Sequence, residues 1–124
     1  MTVGLAAAAV NSWLDTLFAT ASCFVKLHTA DPGSAGGTAA AGGSTVRVQA
    51  TMAAAAAGAK AMTSMASTWT NGGTPETLSH LSFWTAASSG TFNGSAALTS
   101  PQAWVSTNTF TLSSLSIAIT PIAA

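Results

Sequence analysis

The sequence predicts a mainly β fold, a small antiparallel β-sandwich or Greek-key barrel that carries one amphipathic helix at its N-terminus. Several short segments alternate apolar and polar residues with the period of two that is typical of strands. Turn signals rich in Gly, Ser, Asn and Pro separate these segments at short intervals. A chain of 124 residues has the length of one domain. We therefore expect a single domain over residues 1–124, with a helix over about 5–21 and a β-rich part over 24–120.

The helix predicted over residues 5–21 carries a single apolar stripe. Its members, at i, i+3, i+4, i+7 and i+8, are Val10, Trp13, Leu14, Leu17 and Phe18. We predict a packing role for Trp13 and Phe18. The stripe fits a helix that packs on a sheet and equally a helix that docks on a partner subunit, so both interpretations stay open.

The first strand is predicted over Phe24–Thr29, where apolar and polar side chains alternate. Asp31, Pro32 and Gly33 then predict a turn, because proline fixes φ and lacks an N–H while glycine accepts a positive φ. The following segment, residues 30–44, is rich in Gly and Ala. A loop of this length is either functional, as a lid or an arm that orders against a neighbour, or poorly ordered.

The remaining strands are predicted from alternation and from the turns between them. They cover Thr45–Met52, Lys60–Trp69, Thr77–Thr85, Thr91–Thr99, Ala103–Val105, Thr109–Leu112 and Leu115–Ile119. Lys60–Trp69 also fits helical spacing, and Ala53–Ala57 fits either a helix or the tail of a strand. Pro101 is expected to interrupt the run before Ala103.

The strand over Thr77–Thr85 is expected to divide its side chains between two faces. Leu78, His80, Ser82 and Trp84 fall on one face of this alternation. Phe83 and Trp84, in the late hairpin, are predicted to be packing residues.

Charged residues make up 5% of the chain, and the formal net charge is zero. A neutral chain lacks the basic surface that nucleic acids or anionic membranes attract, so we expect neither as a partner. Near-zero net charge also favours association between protein molecules. Cys23 is the single cysteine, which excludes an intrachain disulfide and predicts a small buried apolar side chain.

Groups that could carry chemistry are few. His28 and Asp31 could pair to orient a general base, but no nucleophile stands in a recognisable signature. The residues that could bind a metal are scattered along the chain. We therefore predict no catalytic residue, no metal site and no cofactor, with His28 a polar residue at a strand end and Asp31 bonded to its own backbone. Arg47 is expected either to pair with Asp31 or Glu76 or to lie in solvent.

Several of these segments together resemble a known family. They are an apolar N-terminal helix, the run VKLHTADPG over residues 25–33, VRVQAT over 46–51, HLSFWTAASSGTF over 80–92 and GSAALT over 94–99. In this order they resemble short structural proteins of tailed phages, especially phages of actinobacteria. Members are described as tail fibre, minor tail or virion structural proteins. The family's acidic residue near the end of the Gly-rich loop is absent here.

The resemblance implies a non-enzymatic virion protein, made in the host bacterial cytoplasm and built into the particle. We expect it to bind copies of itself, as a ring or trimer, and other virion proteins of the tail or the major capsid protein. A capsid decoration protein is the alternative. A carbohydrate-binding adhesin, with Trp69, Trp84 and Trp104 stacked on sugar rings, is a further hypothesis.

Overall fold

The computed structural model describes residues 5–19 and 22–118. In chain order its elements are α1 (Ala7–Leu17), β1 (Cys23–His28), β2 (Val48–Met52), β3 (Ala59–Met65), β4 (Trp69–Thr70), β5 (Glu76–Trp84), β6 (Phe92–Trp104), β7 (Thr109–Phe110) and β8 (Ser116–Ala118). The mainly β prediction with one helix at the N-terminus is confirmed.

The strands form a six-stranded antiparallel sheet in the order β6-β5-β1-β2-β3-β8, and β4 pairs with β7 in a separate two-stranded sheet. The larger sheet curls strongly, which gives the molecule a barrel-like form. β1 lies near the middle of the sheet, between β5 and β2. The strands at its two edges are β6 and β8.

The pairing of β1 with β5 separates an apolar face of the sheet from a more polar one. Val25 lies opposite Phe83 and Leu27 opposite Leu81, and all four are buried. Because directly opposed residues share a face, these side chains form part of one apolar core. Phe18 reaches this core from the end of α1, with its ring edge-on to that of Phe83 at a centroid distance of 6.0 Å.

The helix is shorter than predicted, and its apolar stripe is narrower. Val10, Leu14 and Phe18 are buried, whereas Trp13 is 52% exposed and Leu17 is 46% exposed. The packing role predicted for Trp13 is therefore not fulfilled within this chain, because the helix turns only its i, i+4, i+8 row toward the sheet. Residues 20–21 of the predicted helix lie outside the described residues.

Two strand predictions need correction. Pro101 does not interrupt a strand, since β6 continues through it to Trp104. Proline is tolerated there because β6 is an edge strand and its register with β5 shifts between the pairs made by Ala97 and Gln102. At the same register shift, between Leu78 and His80 on β5, Leu78 is buried in the core with Leu81 and Phe83, rather than with the face predicted for it.

The segments between these strands also differ in detail from the prediction. Residues 53–57 are neither helix nor strand, and Ala57 and Gly58 turn the chain into β3 with φ of 51° and 78°. β3 confirms strand over helix for the segment that follows, although it ends at Met65. β2 begins at Val48, and Val46, two residues before it, is 61% exposed. Residue 119 of the last predicted strand lies outside the described part of the chain.

The Gly-rich loop over residues 30–44 folds back on its own chain. Thr29 N–H donates to the Ala39 carbonyl, and Ala41 N–H donates to the Leu27 carbonyl. Ala41 is fully buried. The loop therefore lies against β1 where β2 no longer pairs with it, and its further role as a lid or as an arm that orders against a neighbouring protein stays a prediction.

Candidate functional site

A buried polar cluster forms where β1, β5 and the Gly-rich loop meet. His28 Nε2 lies 2.7 Å from Ser82 Oγ, and Trp84 Nε1–H donates to the same oxygen over 2.8 Å. His28 Nδ1 lies 2.8 Å from the Thr38 carbonyl oxygen. A carbonyl can only accept, so Nδ1 carries the proton and Nε2 accepts the hydroxyl proton of Ser82. The cluster joins two strands and the loop through one neutral imidazole.

The sheet register explains why these residues meet. His28 is opposite His80 and Lys26 is opposite Ser82 on neighbouring strands, so the ring of His28 reaches across the ladder to the Ser82 hydroxyl. His28 and Ser82 are both fully buried. Burial lowers the pKa of His28 below its ordinary value of 6.5, which keeps the ring neutral at neutral pH.

A serine bonded to a histidine could indicate a nucleophile and its general base. Here, however, the Ser82 hydroxyl is buried away from solvent, and the other ring nitrogen of His28 is held by a backbone carbonyl. The geometry favours a packing and loop-fastening role. His28 is the last residue of β1, at the strand end predicted for it, but the loop covers its ring and buries it.

His28 does not pair with Asp31. Asp31 Oδ1 instead accepts the Gly33 N–H over 2.8 Å, and Gly33 has a φ of 77°. Pro32, between them, is buried. This is the contact that an aspartate makes when it stabilises its own turn, and it places the loop at the end of β1.

Arg47 has neither of the acidic partners that the sequence suggested. Its guanidinium lies 3.7 Å from the centroid of the Trp84 ring, and Nη1 donates to the carbonyls of Ala86 and Ser89. Cation–π contact and carbonyl acceptors thus satisfy the charge in place of a carboxylate. The Glu76 carboxylate accepts the backbone N–H groups at the end of the Gly-rich loop, at distances of 3.1 and 2.9 Å.

An ion pair between a buried lysine and an exposed aspartate of α1 was not anticipated from the sequence. Lys60 is 2% exposed, and its Nζ donates to Asp15 Oδ1 over 2.7 Å. The hydrogen bond from Lys60 lowers the pKa of Asp15, and a second one from the Ala55 N–H acts in the same direction. Asn11, one turn earlier, accepts the N–H of Gly58. The polar side of the helix therefore binds the β2–β3 connection.

The hydrophilic residues of α1 carried a weak signal for this contact. Asn11 and Asp15 are four residues apart and so lie on one helical row. A lysine in a strand of a chain with few charges also needs a partner when it is buried. No sequence rule predicts a contact between Asp15 and Lys60, which are 45 residues apart in the chain and meet only in the folded structure.

Two of the three tryptophans considered for sugar stacking are interior residues. Trp69 is 1% exposed and Trp104 is 2% exposed, and their indole N–H groups donate to the carbonyls of Val46 and Asn108. Trp84 is partly buried beneath Arg47. The three rings do not form an exposed stacking surface.

Within residues 5–19 and 22–118, no group of three or more histidine, cysteine, aspartate or glutamate side chains is arranged to hold a metal ion. Cys23 is buried, and burial raises the pKa of its thiol to about 11. None of the helices in the described part of the chain has the length and apolar character needed to cross a membrane.

Comparison with known protein families gives a match over nearly the whole chain. A family model described as Podophage GP4 fiber I protein gp80 matches residues 2–120. No curated protein matches the chain.

Proposed function

The chain belongs to the phage fibre family of Podophage GP4 fiber I protein gp80, and from that premise we propose that it is a non-enzymatic fibre or minor tail component of a tailed phage. The match over residues 2–120 carries this proposal, since it includes every described element. The family itself makes the chain a phage structural protein and a virion component. Its position on the particle is the proposed part.

The burial and the hydrogen bonds of the polar side chains support a structural role. His28 and Ser82 are buried and bonded to each other, and Arg47 fastens the connection between β5 and β6. Among the described residues, every buried side-chain nitrogen and oxygen has a hydrogen-bond partner. The polar groups that usually carry catalysis are here engaged in holding loops to the sheet.

The protein is made in the host cytoplasm and assembles through protein–protein contacts, with copies of itself and with other tail proteins. Its low charge and zero net charge favour such association. A ring or trimer and an association with phages of actinobacteria stay predictions, as does the absence of nucleic acid and membrane partners. Decoration of the capsid is the competing position.

Immunogold labelling of purified virions tests the position. An antibody raised against the recombinant chain is expected to label the tail region, and immunoblotting of the same particles should detect the protein. Labelling spread over the head surface would replace the tail assignment with capsid decoration. Particles that give no band on the immunoblot would overturn the proposal that this protein is part of the mature virion.

A further inference from the structure

The outer edge of β6 is a free strand edge. β6 is a 13-residue strand at one end of the sheet, with β5 on its inner side and no strand on its outer side among the described residues. Unpaired N–H and C=O groups along such an edge form a template for another strand. Natural proteins protect such edges with charged side chains, proline or bulges; β6 contains no charge, and its Pro101 and its register shifts lie outside the regular stretch over residues 94–97.

An uncharged apolar groove runs beside this edge. It has a volume of about 360 Å³ and lies between α1, the start of β6 and β8. Its apolar lining includes Leu17, Phe18, Phe83, Ala96, Leu115 and Ile117. A charged segment placed here would lose its hydration without gaining an ionic partner, so the surface fits an uncharged occupant.

We propose that β6 of a second copy of this chain pairs antiparallel with β6, about a two-fold axis that passes through Ala97. This inference rests on the self-association in the proposed function and names its surface. The pairing joins two sheets through backbone hydrogen bonds and brings the partner over the groove. It gives a dimer, or an assembly built from dimers, in place of the trimer.

The register follows from the pattern of exposure along β6. Ala96 and Leu98 are partly buried, whereas Ser95, Ala97 and Thr99 are exposed. Residues that lie directly opposite each other on paired strands point to the same face of the sheet. An axis between two consecutive residues would pair residues that point to opposite faces, so the axis has to pass through a residue. An axis at Ala97 places Ala96 opposite Leu98 of the second copy and pairs two apolar side chains.

A second copy is the occupant that the charges favour. An antiparallel strand that meets its own copy brings identical residues together near the axis, and β6 has no charge that would repel itself there. The chain has zero formal net charge, so long-range repulsion does not oppose the encounter. Trp13 and Leu17, exposed on the neighbouring face of α1, extend the apolar surface that the copy would cover.

Cysteine cross-linking tests the register with a control on the same strand. In Ala97→Cys the two thiols face each other at the axis, with Cα atoms about 4.5–5.5 Å apart, and a disulfide forms on mild oxidation. In Ser95→Cys the corresponding atoms are about 13 Å apart, four residues along the strand, and cannot form one. Native Cys23 is buried with a raised pKa, so it contributes little background.

A lysine substitution tests whether the edge drives association. Ala97→Lys places two like charges at the axis, and we expect it to weaken the dimer at least about tenfold in Kd. Thr77→Lys is the matched control, because it adds the same charge at an exposed position on β5. Light scattering across a dilution series measures both, and circular dichroism checks that each variant is folded.

Cross-linking in Ala97→Cys alone, with dissociation in Ala97→Lys alone, is the expected result. An oligomer in which both cysteine variants cross-link, or neither does, would overturn the β6 pairing, as would a wild-type trimer. A wild-type monomer at every concentration would overturn the second copy as occupant. The virion labelling tests the proposed function independently of these outcomes.

Discussion

Replacing Ser82 with alanine removes the hydroxyl that joins His28 to Trp84 in the buried cluster. His28 Nε2 then loses its hydrogen-bond donor in a fully buried position, which costs about 1–3 kcal/mol. The Trp84 indole N–H loses its acceptor but is only partly buried, which adds about 0.5–1 kcal/mol. We therefore expect Ser82→Ala to lower the free energy of unfolding by about 1.5–4 kcal/mol.

Urea unfolding followed by tryptophan fluorescence measures this loss. Ser79→Ala is the matched control, since it is on the same strand and its hydroxyl also bonds a histidine, but at a half-buried site. We expect the control to cost less than about 0.5 kcal/mol, with the same m-value for both variants. If the two variants lost equal stability, the cluster would not fasten the loop as described.

Three further changes test other contacts. Lowering the pH below 6.5 should reduce the free energy of unfolding by up to about 1.4 kcal/mol per pH unit, until the lowered pKa of folded His28 is reached, because in that range only the unfolded chain protonates this imidazole. Urea unfolding at pH 5 and pH 7.5 measures the loss, and His28→Gln should remove this part of the pH dependence. Asp15→Asn should lower the melting temperature because it leaves the ammonium group of Lys60 buried without its anion, whereas Lys60→Met should leave the melting temperature nearly unchanged. Calorimetry measures both variants, and equal losses would contradict the ion pair. Arg47→Lys keeps the charge but loses the planar contact with Trp84, and we expect it to lower the free energy of unfolding, measured by chemical denaturation, by about 1–2 kcal/mol. An unchanged free energy of unfolding would mean that Arg47 is merely solvated.

Local patterns in the sequence predicted most of the strands, because each depends on neighbouring residues. The alternation before His28 and the turn at Asp31–Gly33 are of this kind. Pro101 shows the limit of local reasoning. Whether a proline ends a strand depends on whether that strand is an edge, which is a property of the sheet order.

The contacts at the candidate site could not be predicted because they join distant parts of the chain. Ser82 bonds His28 across 54 residues, and Lys60 bonds Asp15 across 45. Local alternation placed His28 at the end of one predicted strand and Lys60 at the start of another, but it indicated no partner for either. The tertiary structure then buried each with a partner, which is how a chain with few charges satisfies those it has.

The copy number of the protein in purified virions tests the central claim most directly. Quantitative mass spectrometry, scaled to the major capsid protein, measures it without disturbing the particle's composition. We predict a small number of copies per particle, as a tail or fibre component requires. A ratio near one copy per capsid subunit, or one third of that, would contradict the tail assignment, and absence from the particle would contradict a role in the mature virion.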